Sequence, residues 1–223
     1  MKIPRRLCGI LRMVTACDVL ADIGTDHAYL PIEAVRTGIC KKAIACDLNS
    51  SPLKIAERNI KMMEYEQHIE TRLGDGLQPL SPNEADCIVI AGIGGIEICK
   101  ILKVGHDIAL QANELVLQPQ RDFESVRRNL HIWGFEIVKD TVIAEDGHYY
   151  IIIKAVPHPN PILWTDKEYY LSKLQMAKGG ILWYEYLMKK RDKIAGYINS
   201  VRDEELRNLE QQRINWITEE VER

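Results

Sequence analysis

The sequence predicts an α/β fold built on a doubly wound, mostly parallel sheet, and three observations support this prediction. Apolar runs that suit buried parallel strands alternate with segments of helical periodicity over most of the 223 residues. Two of these runs lead directly into glycine-containing loops, at Gly24 and at Gly92. Two β-rich runs, 136–144 and 148–156, flank an Asp-Gly pair at 146–147, which predicts an antiparallel hairpin at the edge of the sheet.

Apolar patterning places the elements of this sheet in chain order. A first helix is predicted from Pro4 to Val14, where apolar residues recur at helical spacing. Five apolar runs predict strands, at residues 19–23, 43–46, 69–73, 85–91 and 114–118. The segments between them predict helices, at residues 30–36, 52–63, 96–102 and 123–133. This alternation is typical of a sheet with helices on both faces.

A break near residue 157 divides the chain. The run from Pro157 to Pro161 has proline at every second position, which interrupts regular structure and predicts a domain boundary. Residues 1–156 are therefore predicted to form the α/β domain, and residues 157–223 a helical domain. Apolar residues after Thr165 recur at helical and partly heptad spacing, which favours two long antiparallel helices in a short coiled coil.

Composition limits the classes of function. The chain has 29 Lys and Arg residues against 32 Asp and Glu, a formal net charge of −3, so the whole molecule is not a basic nucleic-acid binder. Any contact with RNA must then come from local patches. No apolar stretch reaches the roughly 20 residues of a membrane span, and the six cysteines form no C-x-x-C pair. We therefore expect a monomeric cytoplasmic protein with reduced thiols, no metal site and no membrane contact.

The loop after the first strand is the most informative segment for function. A dinucleotide-binding turn carries glycine at three positions, but here Gly24 is followed by Asp26 at the second position and Tyr29 at the third. A carboxylate at that place would repel a pyrophosphate by roughly a few kcal/mol. A ligand with positive charge would tolerate it, and S-adenosylmethionine, with a sulfonium and an ammonium group, is such a ligand.

Three consecutive strand segments each end near an aspartate, namely Asp22, Asp47 and Asp75. Since these strand ends surround the ligand crevice of an open α/β sheet, they predict a cofactor site, with Asp47 on the ribose and Asp75 on the adenine. Alternatively, the aspartates are only helix caps and turn formers. The candidate cofactor-binding residues are Asp22, Gly24, Asp47, Leu48, Gly74, Asp75, Gly76, Ala91 and Gly92.

Several of these loops resemble one family. The run Asp-Ile-Gly-Thr-Asp-His-Ala-Tyr-Leu-Pro at 22–31 closely resembles the first motif of the bacterial tRNA (adenine-22-N1) methyltransferases, which usually have serine in place of Thr25. Further similar segments are Ile-Ala-Gly-Ile-Gly-Gly at 90–95, Leu-Gln-Pro at 117–119, Glu-Asp-Gly at 145–147 and Arg-Leu at 6–7. The resemblance extends over essentially the whole chain. It implies a Rossmann-like methyltransferase sheet with a helical appendage, S-adenosyl-L-methionine as cofactor and methylation of adenine N1 in tRNA.

The predicted chemistry centres on Asp26, where the family resemblance also implies a key acidic residue. The N1 atom of adenine has an available lone pair at neutral pH, so its attack on the sulfonium methyl requires positioning above all. The transfer leaves positive charge on N1 and N6, which a carboxylate that accepts from N6 would stabilise. His27 and Tyr29 are candidates to orient Asp26 or to stack on the base. Alternatively, His27 bonds a local carbonyl and Tyr29 belongs to the core.

Candidate RNA contacts are predicted near this site and in the helical tail. Methylation of a base in folded RNA requires the base to be extruded and the RNA backbone to be held by cations. The candidate RNA-binding residues are Arg5, Arg6, Gly94, Gln118 and Arg121, with Lys2 and the cluster 189–193 as further cations. The charged tail is equally consistent with a solvated or packing surface. Two other functions stay open: methylation of another RNA position or of a small molecule, and a cofactor-binding scaffold without catalysis.

Overall fold

The fold is built on one mixed sheet. The computed structural model describes residues 3–223, and over that range the sheet has seven strands: β1 Cys17–Ile23, β2 Cys40–Asp47, β3 Ile69–Leu73, β4 Cys87–Ile93, β5 Glu114–Pro119, β6 Phe135–Glu145 and β7 His148–Pro157. Their spatial order is β3-β2-β1-β4-β5-β7-β6. The first five strands pair in parallel, whereas β7 is antiparallel to both β5 and β6. The predicted doubly wound sheet with an antiparallel edge hairpin is confirmed.

Helices connect the strands and continue after the sheet. Within the described residues they are α1 Arg5–Leu11, α2 Tyr29–Arg36, α3 Ser50–Met62, α4 Gly95–Val104, α5 His106–Gln111, α6 Phe123–Ile132, α7 Asp166–Leu171, α8 Lys173–Lys178, α9 Ile181–Tyr197 and α10 Glu204–Val221. Periodicity does not predict α5, because its six residues make fewer than two turns. No helix over residues 3–223 is long and apolar enough to span a bilayer.

The strand order determines where a ligand cleft opens. The chain runs outward from β1 to β2 and β3, and then crosses to β4 on the other side of β1. Such a reversal leaves a crevice outside the carboxyl ends of the strands. The register pairs Asp22 with Ala45 of β2 and with Val89 of β4. The loops that follow β1, β2 and β4 are therefore brought together at one edge.

The helical segment after Pro157 packs on the sheet. Buried side chains of α9 and α10, including Trp183, Leu187 and Ile217, belong to the same hydrophobic cluster as Leu117 and Phe135 of the sheet. The two long helices contact each other directly and are connected by the short link at 198–203. The predicted helical appendage is therefore present, while its coiled-coil character and the boundary at 156/157 stay predictions.

Arg127 belongs to a buried ion pair within the α/β part and also contacts the helical segment. Arg127 of α6 donates through Nε to Asp140 Oδ2 of β6 at 2.7 Å, and the two side chains are 3% and 0% exposed. Arg127 Nη1 also donates to the carbonyl oxygen of Tyr169 in α7 at 2.9 Å. Loss of one partner of the ion pair would leave an uncompensated buried charge, while the hydrogen bond from Arg127 to Tyr169 joins α6 to the helical segment.

Candidate active site

A cavity of about 300 Å³ opens where the strand order reverses. Its walls come from α1, from the loops after β1 and β4, and from the turn after β5. The predicted site residues among its lining are Arg6, Asp22, Gly24, Asp26, His27, Tyr29, Ala91 and Gly92. The structure therefore brings all three predicted catalytic residues to one cavity with part of the predicted cofactor site.

The loop after β1 has an unusual backbone conformation. Gly24, Asp26 and Ala28 have φ angles of 79°, 49° and 57°, in the left-handed region that residues other than glycine rarely adopt. The N–H groups of Gly24 and Thr25 both donate to the carbonyl oxygen of Cys46, at 2.8 and 2.9 Å, which fixes the loop against β2. Ala28 is fully buried at the start of α2 and holds the other end. The backbone of this loop is therefore held in one conformation, which places Asp26 at the cavity.

Asp26, His27 and Tyr29 form a connected group at the cavity. His27 Nε2 lies 3.2 Å from Asp26 Oδ2, and the His27 ring stacks on the Tyr29 ring with centroids 5.3 Å apart. Asn59 Nδ2 donates to the His27 carbonyl oxygen at 3.0 Å. The Asp26 side chain is 68% exposed, so a substrate could reach it. This geometry supports the hypothesis that His27 orients Asp26, while the catalytic roles themselves stay predictions.

Asp22 is the buried carboxyl group of the site. It is 5% exposed at the end of β1, and burial raises its pKa to about 6. The neighbouring Thr25 side chain and the positive charge of Arg6 lower this pKa, whereas the charge of Asp47 raises it. Since burial penalises the ionised form, a ligand with positive charge at this place would stabilise the carboxylate.

The remaining predicted cofactor-binding residues lie beside the cavity, at the carboxyl ends of β2 and β3; they are Asp47, Leu48, Gly74, Asp75 and Gly76. The N–H of Gly74 donates to the Asp47 carbonyl oxygen at 3.0 Å, so the two loops are in contact. Asp47 Oδ1 accepts a hydrogen bond from the backbone N–H of Asn49 at 2.8 Å. This contact is the turn-forming role that was the alternative to cofactor binding. Asp75 and Leu48 are exposed, and their contacts with a cofactor stay predictions.

Arg6 is the predicted RNA contact that lies closest to this chemistry. Its Nη1 donates to Gln118 Oε1 at 2.9 Å, and its guanidinium carbon lies 5.9 Å from the centre of the Tyr150 ring. Gln118 is 1% exposed, so in this structure it holds Arg6 instead of facing solvent. The Glu145 carboxylate accepts from the backbone N–H groups of Arg5 and Arg6, and thereby fixes the start of α1.

Glycines after β4 leave room for Arg121. A Cβ atom on Gly95 would lie 2.6 Å from the Arg121 carbonyl oxygen, so a side chain is excluded there. Gly94 precedes α4, and a Cβ atom on it would lie 3.3 Å from Arg121 Nε. The Arg121 side chain is 81% exposed and is therefore available to a phosphate. Lys2, another predicted cation, lies outside the described residues.

Two buried polar atoms of the loop point to a ligand. Thr25 Oγ1, which is near enough to Asp22 to lower its pKa, and His27 Nδ1 make no hydrogen bond of standard geometry within residues 3–223. Buried polar groups are nearly always paired, so a bound molecule is expected to satisfy them. Carboxylates, a hydroxyl, an imidazole and bare glycine backbone form a set that suits a positively charged nucleoside. In the described part of the chain, no group of three or more His, Cys, Asp or Glu residues is arranged to hold a metal ion.

Some residues of the cavity are missing from the sequence-based prediction. Leu7, Thr25, Leu30 and Ile93 line the cavity but are not among the predicted site residues. The apolar ones resemble core positions of a helix or strand, so periodicity cannot separate the two roles. Glu145 does not line the cavity but fixes the start of α1, and it is also missing from the predicted site residues. Its place in the Glu-Asp-Gly segment, which belongs to the family resemblance, is the signal that could have indicated this role.

The fold and this cleft define the class of protein. A doubly wound sheet, with a cleft at its switch point that is lined by carboxylates and glycine turns, belongs to the nucleotide-cofactor-binding α/β proteins. The family described as "Methyltransferase domain" matches residues 3–153, and the chain belongs to this family.

Three matches, to proteins of Bacillus subtilis and Streptococcus pneumoniae, show which methyltransferases this chain is similar to. The tRNA (adenine(22)-N(1))-methyltransferase of Bacillus subtilis (strain 168) is 35% identical over 155 residues, which are 70% of this chain and 65% of that protein. The match thus spans slightly less than two thirds of that relative. The crystal structure of the B. subtilis M1A22 tRNA methyltransferase TrmK has a TM-score of 0.87 at 25% identity and covers 99% of both chains. Streptococcus pneumoniae Sp1610, in complex with S-adenosyl-L-methionine, has a TM-score of 0.90 at 27% identity, covering 99% of this chain and 100% of that one.

Proposed function

We propose that this protein transfers the methyl group of S-adenosylmethionine to N1 of an adenine in tRNA, at position 22 as in the B. subtilis relative. The observation that carries the proposal is the placement of Asp26. Its exposed carboxylate stands on a constrained loop, is contacted by His27, and borders a cavity with unpaired buried polar atoms. An acceptor at this place suits a reaction in which positive charge develops on the base.

The residues of the cleft fit the proposed cofactor. S-adenosylmethionine, when bound, supplies an activated methyl group on a positively charged sulfur. The buried Asp22 carboxyl favours a positively charged ligand, and Thr25 Oγ1 and His27 Nδ1 offer it hydrogen bonds. Asp47 and Asp75 are proposed to hold the ribose and the adenine. The S. pneumoniae structure, which contains S-adenosyl-L-methionine, supports the same choice.

The proposed mechanism relies on position and electrostatics. Adenine N1 is a nucleophile without deprotonation, so the site must hold the base in line with the methyl group. Asp26 would accept a hydrogen bond from the N6 amino group and stabilise the charge that spreads over N1 and N6. After the transfer, the same carboxylate could accept the N6 proton. His27 would orient Asp26, and Tyr29, stacked on His27, would contact the extruded base.

Contacts to tRNA are proposed on the side of the cavity where α1 and the turn after β5 meet. Arg5, Arg6 and Arg121 would contact phosphates, with Gly94 allowing close approach and Gln118 keeping Arg6 in place. The molecule has a net negative charge, so binding is expected to depend on this local concentration of cations and to weaken steeply as salt rises.

The direct test is a reaction with unmodified tRNA transcripts and S-adenosylmethionine, followed by digestion to nucleosides and mass spectrometry. We expect 1-methyladenosine from the wild-type protein and none from Asp26→Ala, with cofactor binding retained in both. Absence of 1-methyladenosine from a wild-type protein that binds cofactor would refute the assignment to adenine N1. In that case, a methylated product at another RNA position or on a small molecule would identify the substrate class.

A further inference from the structure

A second and larger cavity, of about 530 Å³, lies between the long helices α9 and α10 and the turn that follows β5. The proposed reaction uses none of the residues that the helices contribute to it. Its volume is comparable with the lower part of the range of small-molecule sites, roughly 300–1,000 Å³. The charge and chemistry of its walls distinguish a binding site from a gap between packed elements.

Positive charge is in excess in this cavity. Five cationic side chains line it against three carboxylates; the cations are Arg121, Lys189, Lys190, Lys193 and Arg213. Two of the carboxylates are already engaged by Arg213, which contacts Glu124 at 3.0 Å and Glu210 at 2.9 Å. The three lysines take part in no salt bridge within residues 3–223, and Lys189 Nζ donates to the Gly147 carbonyl oxygen at 2.8 Å. The lysines therefore offer charge that an anion could neutralise.

Lys190 shows this excess most clearly. Its ammonium lies 3.6 Å from the centre of the Tyr170 ring and 5.7 Å from that of Tyr186, so aromatic faces are its neighbours instead of carboxylates. The pKa of Lys190 is lowered to about 7, mainly by burial and also by the charges of Arg127 and Arg213, while the charges of Glu124 and Glu210 raise it. An anion bound beside Lys190 would stabilise its charged form and offset the repulsion from the two arginines.

Aromatic rings form another part of the wall. Phe123, Tyr149, Tyr186 and Tyr197 line the cavity, and Tyr186 meets both Phe123 and Tyr149 at steep angles. Tyr197 is 37% exposed. Proteins bind single-stranded nucleic acid by combining cations for the phosphates with aromatic rings for the bases. The lining of this cavity combines the same two components.

The position of the cavity connects it with the proposed catalytic site. Gln120 lines both cavities, and the exposed Arg121 side chain, which lies 3.5 Å from the Asp122 carboxylate, lines the second one. We infer that this second cavity binds a nucleotide of the RNA substrate that neighbours the methylated adenine, with its phosphate on Lys189 and Lys193 and its base against the tyrosines. This inference rests on the proposed function, because it assumes that the first cavity receives an RNA base.

The test compares tRNA binding by three variants with that of the wild-type protein, using filter binding over a range of salt concentrations. In Lys189→Ala/Lys193→Ala we expect roughly tenfold weaker binding and a salt slope lower by about 2, since two phosphate contacts are lost. In Tyr197→Leu we expect roughly fivefold weaker binding with an unchanged salt slope, because stacking is not electrostatic. Lys178→Ala removes one exposed lysine outside the cavity and should bind like the wild type.

Thermal unfolding of each variant separates loss of binding from loss of the fold, since the substituted lysines and Tyr197 are on the surface. Wild-type affinity in both the lysine and the tyrosine variant would overturn the inference while leaving the proposed methylation intact. Equal weakening in Lys178→Ala would also overturn it, because any lysine would then serve. If the wild-type protein binds no tRNA, both the inference and the tRNA assignment fail. If it binds tRNA through this cavity but forms no 1-methyladenosine, only the proposed reaction fails.

Discussion

The cavity at the switch point of the sheet and the cavity beside α9 and α10 share Gln120 and have opposite charge. The first is bordered by the carboxylates of Asp22 and Asp26, whereas the second gathers Lys189, Lys190 and Lys193. Negative charge suits a positively charged cofactor and a base that becomes cationic during the reaction. Positive charge suits the phosphates of the nucleic acid that carries this base. This difference assigns the methyl transfer to the acidic cavity and the binding of RNA to the basic one. The two roles thus belong to different parts of the chain.

The largest effect is expected at Asp26, in the acidic cavity. Asp26→Asn keeps the shape of the side chain but removes its charge, so we expect kcat to fall by about 10²- to 10⁴-fold. Affinities for S-adenosylmethionine and for tRNA should stay within about threefold of the wild type, because the loop conformation is retained. Single-turnover kinetics and equilibrium binding measure the two quantities. Nearly unchanged kcat in this variant would exclude Asp26 as a catalytic group.

The next effect concerns Arg127, which pairs with buried Asp140 of the sheet and donates to Tyr169 of the helical segment. Arg127→Met leaves Asp140 buried without its partner, so we expect the free energy of unfolding to fall by about 3–5 kcal/mol. The matched control is Arg191→Ala, which removes a surface pair with Asp192 and should cost less than about 1 kcal/mol. Urea denaturation measures both. Equal losses in the two variants would show that the buried Arg127–Asp140 pair is no more important for stability than a surface pair.

Asp22 gives a pH-dependent prediction for the acidic cavity. Its pKa in the folded protein, about 6, is above the ordinary value of 3.8, so the folded state binds this proton more tightly than the unfolded chain does. The contribution of Asp22 to stability therefore falls as pH rises from about 4 to about 6 and stays low above that range. Asparagine cannot titrate, so the stability of Asp22→Asn relative to the wild type should increase over this range, by at most about 3 kcal/mol. Urea denaturation at several pH values tests this, and a constant difference would contradict it.

The smallest effect is expected at Glu145, which acts through Arg6. Glu145→Ala removes the acceptor of the Arg5 and Arg6 backbone N–H groups, so the start of α1 and the Arg6 side chain should lose their fixed position. We expect kcat/KM for tRNA to fall by roughly tenfold, in line with one or two lost hydrogen bonds to a charged group, with little change in cofactor affinity. Asp146→Asn, in the same turn, is the control and should leave both unchanged. Equal effects in the two variants would indicate a general disturbance of the hairpin.

The sequence predicts the two cavities to very different extents. The strand at Ile69–Leu73 and the loop after β1 follow from apolar patterning and glycine spacing, which are local properties of a few neighbouring residues. The placement of Asp26, His27 and Tyr29 at one cavity is therefore predictable. Contacts between distant segments are not: patterning shows neither that Glu145 fixes α1 nor that Thr25 is left unpaired.

The second cavity could not be predicted, because its walls come from segments far apart in the chain. Arg121, Lys189 and Arg213 meet only after α9 and α10 pack against the sheet. In the sequence, the cluster at 189–193 is indistinguishable from an ordinary solvated helix face. The structure shows that Lys190 of this cluster faces tyrosine rings, which no spacing rule indicates.

The most direct test of this division of roles measures kcat and the tRNA Kd side by side for Asp26→Asn and for Lys189→Ala/Lys193→Ala. We predict that the aspartate variant loses kcat with an unchanged Kd, and that the lysine variant binds tRNA roughly tenfold more weakly with a nearly unchanged kcat at saturating tRNA. The reverse pattern, or an equal loss of both quantities in the two variants, would contradict the assignment of chemistry to the acidic cavity and of RNA binding to the basic one.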